Sequence, residues 1–239
     1  MLDFVAVGDV MLDVRLPAAP PGTRRHSEIG VGAGGSAVNA ALAAARLGAQ
    51  TAVVGTVGAD VLGDALAQQL AAAGVVSVLT RVDGLPTGTA VYVGDAVVAD
   101  RGANARATIT ELPPARVTLV SGYLPAAARE QALRLAHGLR AVDLQGVLDD
   151  EPAAEIVLGP GLDLDALAPT HEVVCSTLGR DGAEAVAGGE RLAARPERIL
   201  EEPLVGAGDA FAAGFLLALA DGLQLADCLR RGCAAAGGT

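Results

Sequence analysis

Near the end of the chain, Val205-Gly206-Ala207-Gly208-Asp209 opens an uncharged run that continues to Ala220. A Gly-Ala-Gly turn leaves backbone N–H groups uncovered at a helix start, where the helix dipole favours a bound anion. The carboxylate that follows has two readings. As a plain cap, Asp209 would satisfy one of the first amides of its helix. As a general base, it would take the proton of an attacking hydroxyl while the amides of Gly206, Ala207 and Gly208 hold a transferring phosphoryl group. The turn alone leaves both open.

A second glycine-rich stretch, Gly30-Val-Gly32-Ala-Gly34-Gly35-Ser-Ala-Val-Asn39, has the letters of a dinucleotide fingerprint at Gly30, Gly32 and Gly35. Its context is wrong for one. Arg24-Arg-His-Ser-Glu28 precedes it in place of a buried strand, and Thr51–Gly55 ends without the acid that would take a ribose. An NAD-linked dehydrogenase is set aside on those grounds. The stretch reads better as bare backbone against a polyhydroxy ligand, with Asn39 facing it from the helix behind. The plainer alternative is a helix start packed closely on a sheet. Asp9 and Asp13 follow the apolar run Phe4–Gly8, at the end where open α/β sheets place ligands. Asp60 reads as an ordinary helix cap. His26, His137 and His171 lie far apart, and Cys175, Cys228 and Cys233 show neither metal-ligand spacing nor a disulfide framework. No metal ligand is assigned, and the odd number of thiols suits a reducing cytoplasm.

All seventeen basic residues are arginine. Without lysine there is no P-loop lysine and no Schiff-base chemistry, so a phosphate site must rely on backbone amides and arginine. A net charge of −11 argues against nucleic acid or an anionic membrane as partner. The first eight residues lack a basic n-region, and Phe211–Ala220 is about half a membrane span. Neither a signal peptide nor a membrane helix is expected.

Positioning the reactive groups requires strands that alternate with helices, and the apolar pattern supplies them. Strands are expected at Phe4–Gly8, Thr51–Val57, Val75–Thr80, Val117–Ser121, Arg140–Leu144 and Glu172–Gly179. Helices are expected from the Gly35 turn to Leu47 with Gly48 as stop, and over Asp60–Ala73, Pro125–His137 and Leu225–Ala236. Pro17–Arg25 reads as loop, Leu158-Gly-Pro-Gly161 as a turn and Leu162–Leu167 as a short helix. Thr87–Ala99 differs: two β-rich runs flank Gly94-Asp95 with no crossover helix, the signature of an inserted hairpin that could cover a site. Length and pattern together give one α/β domain over 1–239, a doubly wound, mostly parallel sheet flanked by helices. A small β lid would come from about 14–30 and 87–100.

Taken together, Gly34-Gly35…Asn39, Gly102-Ala-Asn104, Thr177-Leu-Gly179…Gly182 and Gly206-Ala-Gly-Asp209 resemble the PfkB/ribokinase family of sugar and nucleoside kinases. Their order and spacing fit along nearly all of the chain. The resemblance implies a ribokinase-like fold with a β lid, and phosphorylation of a hydroxymethyl group by ATP with Mg²⁺. By position, it makes Asp209 the catalytic base and the Gly206–Gly208 backbone the anion hole. Asp13, Gly34, Gly35, Asn39 and Asn104 become sugar-hydroxyl contacts, and Thr177, Gly179 and Gly182 part of the nucleotide side. Relatives often pair through the lid, so a homodimer is expected.

Three departures accompany the match. Where the family has Asp-Thr ahead of x-Gly-Ala-Gly-Asp, this chain has Pro203 and Leu204. Pro203 offers a monovalent cation no side-chain oxygen, so little potassium activation is expected. The family's Asn-x-x-Glu positions fall on Gly161 and Leu164, with Asp163 and Asp165 beside them as substitutes or as ordinary solvated acids. Family members also commonly continue past the position of Thr239 with a segment that walls the adenine pocket. Two functions follow: a carbohydrate kinase using Mg·ATP and a small sugar, or a sugar- or nucleoside-binding relative with weak or no phosphoryl transfer. Stacking on a purine would need Phe4, Tyr92 or Tyr123, which tilts the acceptor toward a sugar.

Overall fold

The residue pattern of the first strand decides the layering. In β1 (Leu2–Val7), Phe4 and Ala6 enter one core while Val5 and Val7 enter another. A strand apolar on both sides belongs to a sheet covered on both faces. The structure, a computed structural model, describes residues 1–18, 20, 22, 26–94, 96–144, 154–196 and 205–237.

From β1 the chain enters β2 (Met11–Leu16) and β3 (Gly30–Gly34), then returns through α1 (Ser36–Arg46) to β4 (Thr51–Gly58), α2 (Val61–Ala72) and β5 (Val75–Val82). A hairpin, β6 (Gly88–Val93) and β7 (Ala96–Asp100), and a 3₁₀ turn at Gly102–Arg106 lead to β8 (Ala115–Ser121), α3 (Ala126–Leu135) and β9 (Leu139–Asp143). Next come β10 (Ile156–Pro160), α4 (Leu164–Leu167), β11 (Val173–Thr177), β12 (Ala183–Ala187) and β13 (Glu190–Ala194). Two packed helices, α5 (Ala207–Ala220) and α6 (Leu225–Ala236), close the chain.

Nine strands form the main sheet in the order β13-β12-β11-β10-β9-β8-β1-β4-β5. The seven from β11 to β5 run parallel, and β12 and β13 add antiparallel at one edge. Phe211, Phe215 and Leu216 of α5, with apolar residues of α1, α2 and α6, fill one face. Ala128, Ala132 and Leu133 of α3 cover the other. The remaining four strands make a separate sheet, β3-β2-β6-β7, joined to the main one through Asp9-Val10 and Arg101-Gly102.

The predicted strand–helix alternation is present, and three local readings change. Leu158-Gly-Pro-Gly161 is not a turn: Ile156–Pro160 is a strand between β9 and β11, paired to both. Pairing on two sides outweighs the local Gly-Pro signal, and Pro160 stands at the last position, where its missing N–H matters least. Asp13 lies within β2 of the smaller sheet, not at the end of β1. Glycines 30–34 form a strand against β2. A hairpin not foreseen, β12–β13, turns at Gly188 and Gly189, both at positive φ. Asp95, at the predicted tip of the β6–β7 hairpin, lies outside the described residues.

Candidate active site

A cavity of about 410 Å³ opens where the end of β1, the start of α1, the smaller sheet and the start of α5 meet. It stands at the carboxyl ends of the parallel strands, where this architecture exposes its loops. Asn39 of α1 and the turn 205–209 face each other across one side, and Tyr92 and Arg101 close another.

The α5 turn is built to leave donors open. Gly206 adopts a left-handed φ of 84°, and a Cβ there would lie 3.2 Å from Asn39 Cγ. The first helical bond runs from the Ala210 amide to the Gly206 carbonyl at 2.9 Å. The amides of Ala207, Gly208 and Asp209 find no acceptor among the described residues. A Cβ at Gly208 would meet nothing within 4 Å, so that position opens on the cavity.

Asp209 does not cap its helix. Its side chain is buried, and Oδ2 accepts a 3.0 Å hydrogen bond from Asn39 Nδ2. Burial above all, then the nearby charge of Asp143, pushes its carboxyl up to about 8; the Asn39 bond opposes this and Asp13 adds to it. The turn therefore joins unpaired amides to a carboxyl of raised proton affinity, both facing one cavity.

Of the predicted hydroxyl contacts, Gly35 and Asn39 line the cavity and Asp13 and Gly34 do not; Asp13 lies buried behind the wall, where Oδ2 accepts from Arg15 at 2.8 Å and Oδ1 has no hydrogen-bond partner. Burial raises this carboxyl, and Arg15 and then the Tyr92 hydroxyl work against the rise. A Cβ at Gly34 would fall 2.0 Å from Asp13 Cγ, so the bare backbone there makes room for the carboxylate. Gly35, at φ 98°, lies where a Cβ would come 2.3 Å from the Asp9 carbonyl. Asn104 departs from expectation. It is fully buried, with Oδ1 accepting from the Val10 amide and Nδ2 donating to the carbonyls of Val10 and Arg101. Its amide fastens the crossing between the two sheets and has no donor hydrogen left for a ligand.

Thr177, Gly179 and Gly182 are not brought into this cavity. They stand around a 3₁₀ turn at the carboxyl end of β11, where the Leu178 amide bonds the Gly182 carbonyl at 2.8 Å. The acids proposed to replace Asn-x-x-Glu have other work: Asp163 Oδ1 caps α4, and Asp165 pairs with Arg191 at 2.8 Å. Pro203 and Leu204 lie outside the described residues. Of the aromatic residues, Phe4 is sealed in the core, while Tyr92 and Tyr123 reach the cavity.

Two neighbours of the site had no assigned role in sequence. Asp143 ends β9 and acts electrostatically on Asp209. Arg101 forms a bidentate pair with buried Asp9, at 2.9 and 2.7 Å, directly on the cavity wall. An acid at the carboxyl end of a predicted strand was a usable signal for Asp143, the same one that singled out Asp9.

The profile described as "pfkB family carbohydrate kinase" matches residues 1–152 and 163–238. The chain belongs to that family. It is 29% identical over 229 residues to the ribokinase of Bacillus subtilis (strain 168), covering 82% of this chain and 77% of the relative. Among solved structures, adenosine kinase from Sinorhizobium meliloti is similar with a TM-score of 0.83 at 24% identity, covering 99% of this chain and 93% of that one. Arabidopsis thaliana ribokinase complexed with ribose and ATP gives 0.81 at 22% identity, with 99% and 91% covered. At these identities the structural likenesses bear on the fold, and the fold is ribokinase-like.

Proposed function

We propose that this chain transfers the γ-phosphoryl group of Mg·ATP to a hydroxymethyl group of a small sugar. The observation that carries the reading is Asp209, a buried carboxyl of raised proton affinity beside three open amides at a helix start. Asp209 takes the hydroxyl proton as the sugar oxygen bonds to the γ-phosphorus. The bond from that phosphorus to the bridging oxygen breaks, and ADP leaves with its electron pair. The amides of the Gly206–Asp209 turn meet the charge that accumulates on the phosphoryl oxygens. Asp13, Gly34, Gly35 and Asn39 form the hydroxyl side, and the partnerless Asp13 Oδ1 supports this because a buried acceptor calls for a donor. Thr177, Gly179 and Gly182 belong to the nucleotide side.

Among the described residues no group of three His, Cys, Asp or Glu side chains is placed to hold a metal. In this reading Mg²⁺ enters with the nucleotide, as Mg·ATP. The smaller sheet acts as a lid, and two copies pair through it. Val31 and Val98, exposed on its two edge strands, support that pairing. No helix among the described residues is long and apolar enough to cross a membrane. A cytoplasmic setting fits the three buried free cysteines.

The test is ADP release from Mg·ATP with a panel of sugars and nucleosides, run beside Asp209→Asn. Sugar-dependent turnover that disappears in the variant supports the kinase. Sugar binding in a calorimeter without turnover in the parent protein overturns phosphoryl transfer and leaves a binding protein.

A further inference from the structure

The charged side chains on the cavity wall, among the described residues, are Asp9, Arg101 and Asp209. Arg101 is the one cation of the three, and its guanidinium is already engaged. Nε and Nη2 hold both oxygens of Asp9, whose side chain is 7% exposed against 35% for Arg101. Such a fork-on-carboxylate pair is fixed in geometry and close to neutral as a unit. The next arginine, Arg15, lies over the Tyr92 ring at 5.6 Å and is paired through a single 2.8 Å contact with Asp13 Oδ2. Each of these guanidinium charges therefore meets a carboxylate before any ligand arrives. Asp209, which lines the cavity, then adds a negative charge at the acceptor end once it is ionised.

We infer that the Asp9–Arg101 pair restricts the acceptor to neutral polyhydroxy compounds and turns away sugars that carry their own carboxylate or phosphate. This deepens the kinase reading and rests on it. The remaining hydrogens of Arg101 and the lone pairs of Asp9 can bind hydroxyl groups in both senses, as donors and as acceptors. A ligand anion would instead have to displace Asp9 from its guanidinium or sit beside carboxylates, and like charges at such range are strongly unfavourable. The phosphates of ATP escape this exclusion because their partners are the amides at the start of α5.

The experiment uses acceptor pairs that share a terminal hydroxymethyl group: ribose and ribonate, glucose and gluconate, fructose and fructose 1-phosphate. Both kcat/KM and calorimetric Kd are measured for each. The neutral member is expected to win in every pair that reacts or binds, by about tenfold or more. Asp9→Asn keeps an oxygen for Arg101 and frees its charge. It is expected to shift the neutral-to-anionic ratio by about tenfold toward the anion, and Arg101→Gln to shift it the other way. An anionic member equal to or better than its neutral partner in the parent protein overturns the inference, whatever the variants do. So does failure of every acceptor to bind, or an unchanged ratio in a folded Asp9→Asn. Selective binding of neutral sugars without turnover upholds this inference while the kinase reading falls.

Discussion

Two aspartates stand at helix starts after a glycine and an alanine, and the fold treats them in opposite ways. Asp60, at the N-cap of α2, is saturated: Oδ1 accepts from the Gly63 amide at 2.9 Å and Thr87 Oγ1 at 2.6 Å, and Oδ2 from the Thr87 amide at 2.8 Å. Burial alone would raise its carboxyl, but these donors hold it below the ordinary range. Asp209, in the first turn of α5, receives one side-chain donor, Asn39, while the amides beside it stay open. Its carboxyl rises to about 8. Donors supplied to a carboxylate make it a structural cap, and donors withheld from a buried one leave it with a raised proton affinity.

The largest expected effect separates the two residues by function. Asp209→Asn should lower kcat by about 10²–10⁴-fold, whereas Asp60→Ala should leave kcat within a fewfold of the parent. Steady-state ADP release with a saturating sugar checks both, and equal losses would erase the distinction. Next in size is Gly208→Ala. No atom lies within 4 Å of a Cβ there, so the protein should melt as the parent does while the added methyl intrudes on the phosphoryl position. A loss in kcat on the order of 10² is expected, and unaltered turnover would mean that the open amides are not the anion hole.

A pH profile sharpens the contrast further. Because the reactive form of Asp209 is the ionised one and its carboxyl sits at about 8, kcat/KM should climb about tenfold per unit from pH 6 and level off above pH 8. A plateau beginning near pH 5 would give Asp209 an ordinary carboxyl.

The smallest effects are in stability, and their signs are opposite. The Asp209 carboxyl binds its proton more tightly folded than unfolded, so its contribution is fully present below its ordinary value of 3.8 and is lost as pH rises toward about 8. Asp209→Asn should therefore melt several degrees above the parent at pH 8.5, by roughly 2–4 °C per kcal/mol, with the gap closing toward pH 5. Asp60 runs the other way. Its folded value is lowered, so it stabilises above the unfolded carboxyl range and this is lost as pH falls through the folded value. Asp60→Ala should be about 0.5–2 kcal/mol less stable at pH 7. Thermal melts of both variants across pH check the crossing, and parallel shifts would contradict it.

Much of this molecule was legible in its order of residues. Local pattern marks β1, α1, β4, α2 and β5 because apolar spacing and glycine stops act within a few residues of each other. The Gly206–Asp209 turn was readable for the same reason: its glycines, its acid and the uncharged helix behind them are contiguous. Pairing between distant segments was not. Ile156–Pro160 becomes a strand because β9 and β11 flank it, and Gly30–Gly34 because β2 lies beside it. Asn104 shows the limit most clearly. The family resemblance makes it a ligand contact, yet Val10, 94 positions away, uses its amide.

The sequence by itself determined the α/β class, the glycine-rich turn at the start of the last long apolar helix and the absence of any lysine from whatever binds phosphate. Only the tertiary structure decided which carboxylates would be met by donors and which would be left without them. Proton affinity depends on burial and on charges brought close in space, as Asn39, Asp143 and Asp13 are brought to Asp209, and neither can be read from spacing along the chain.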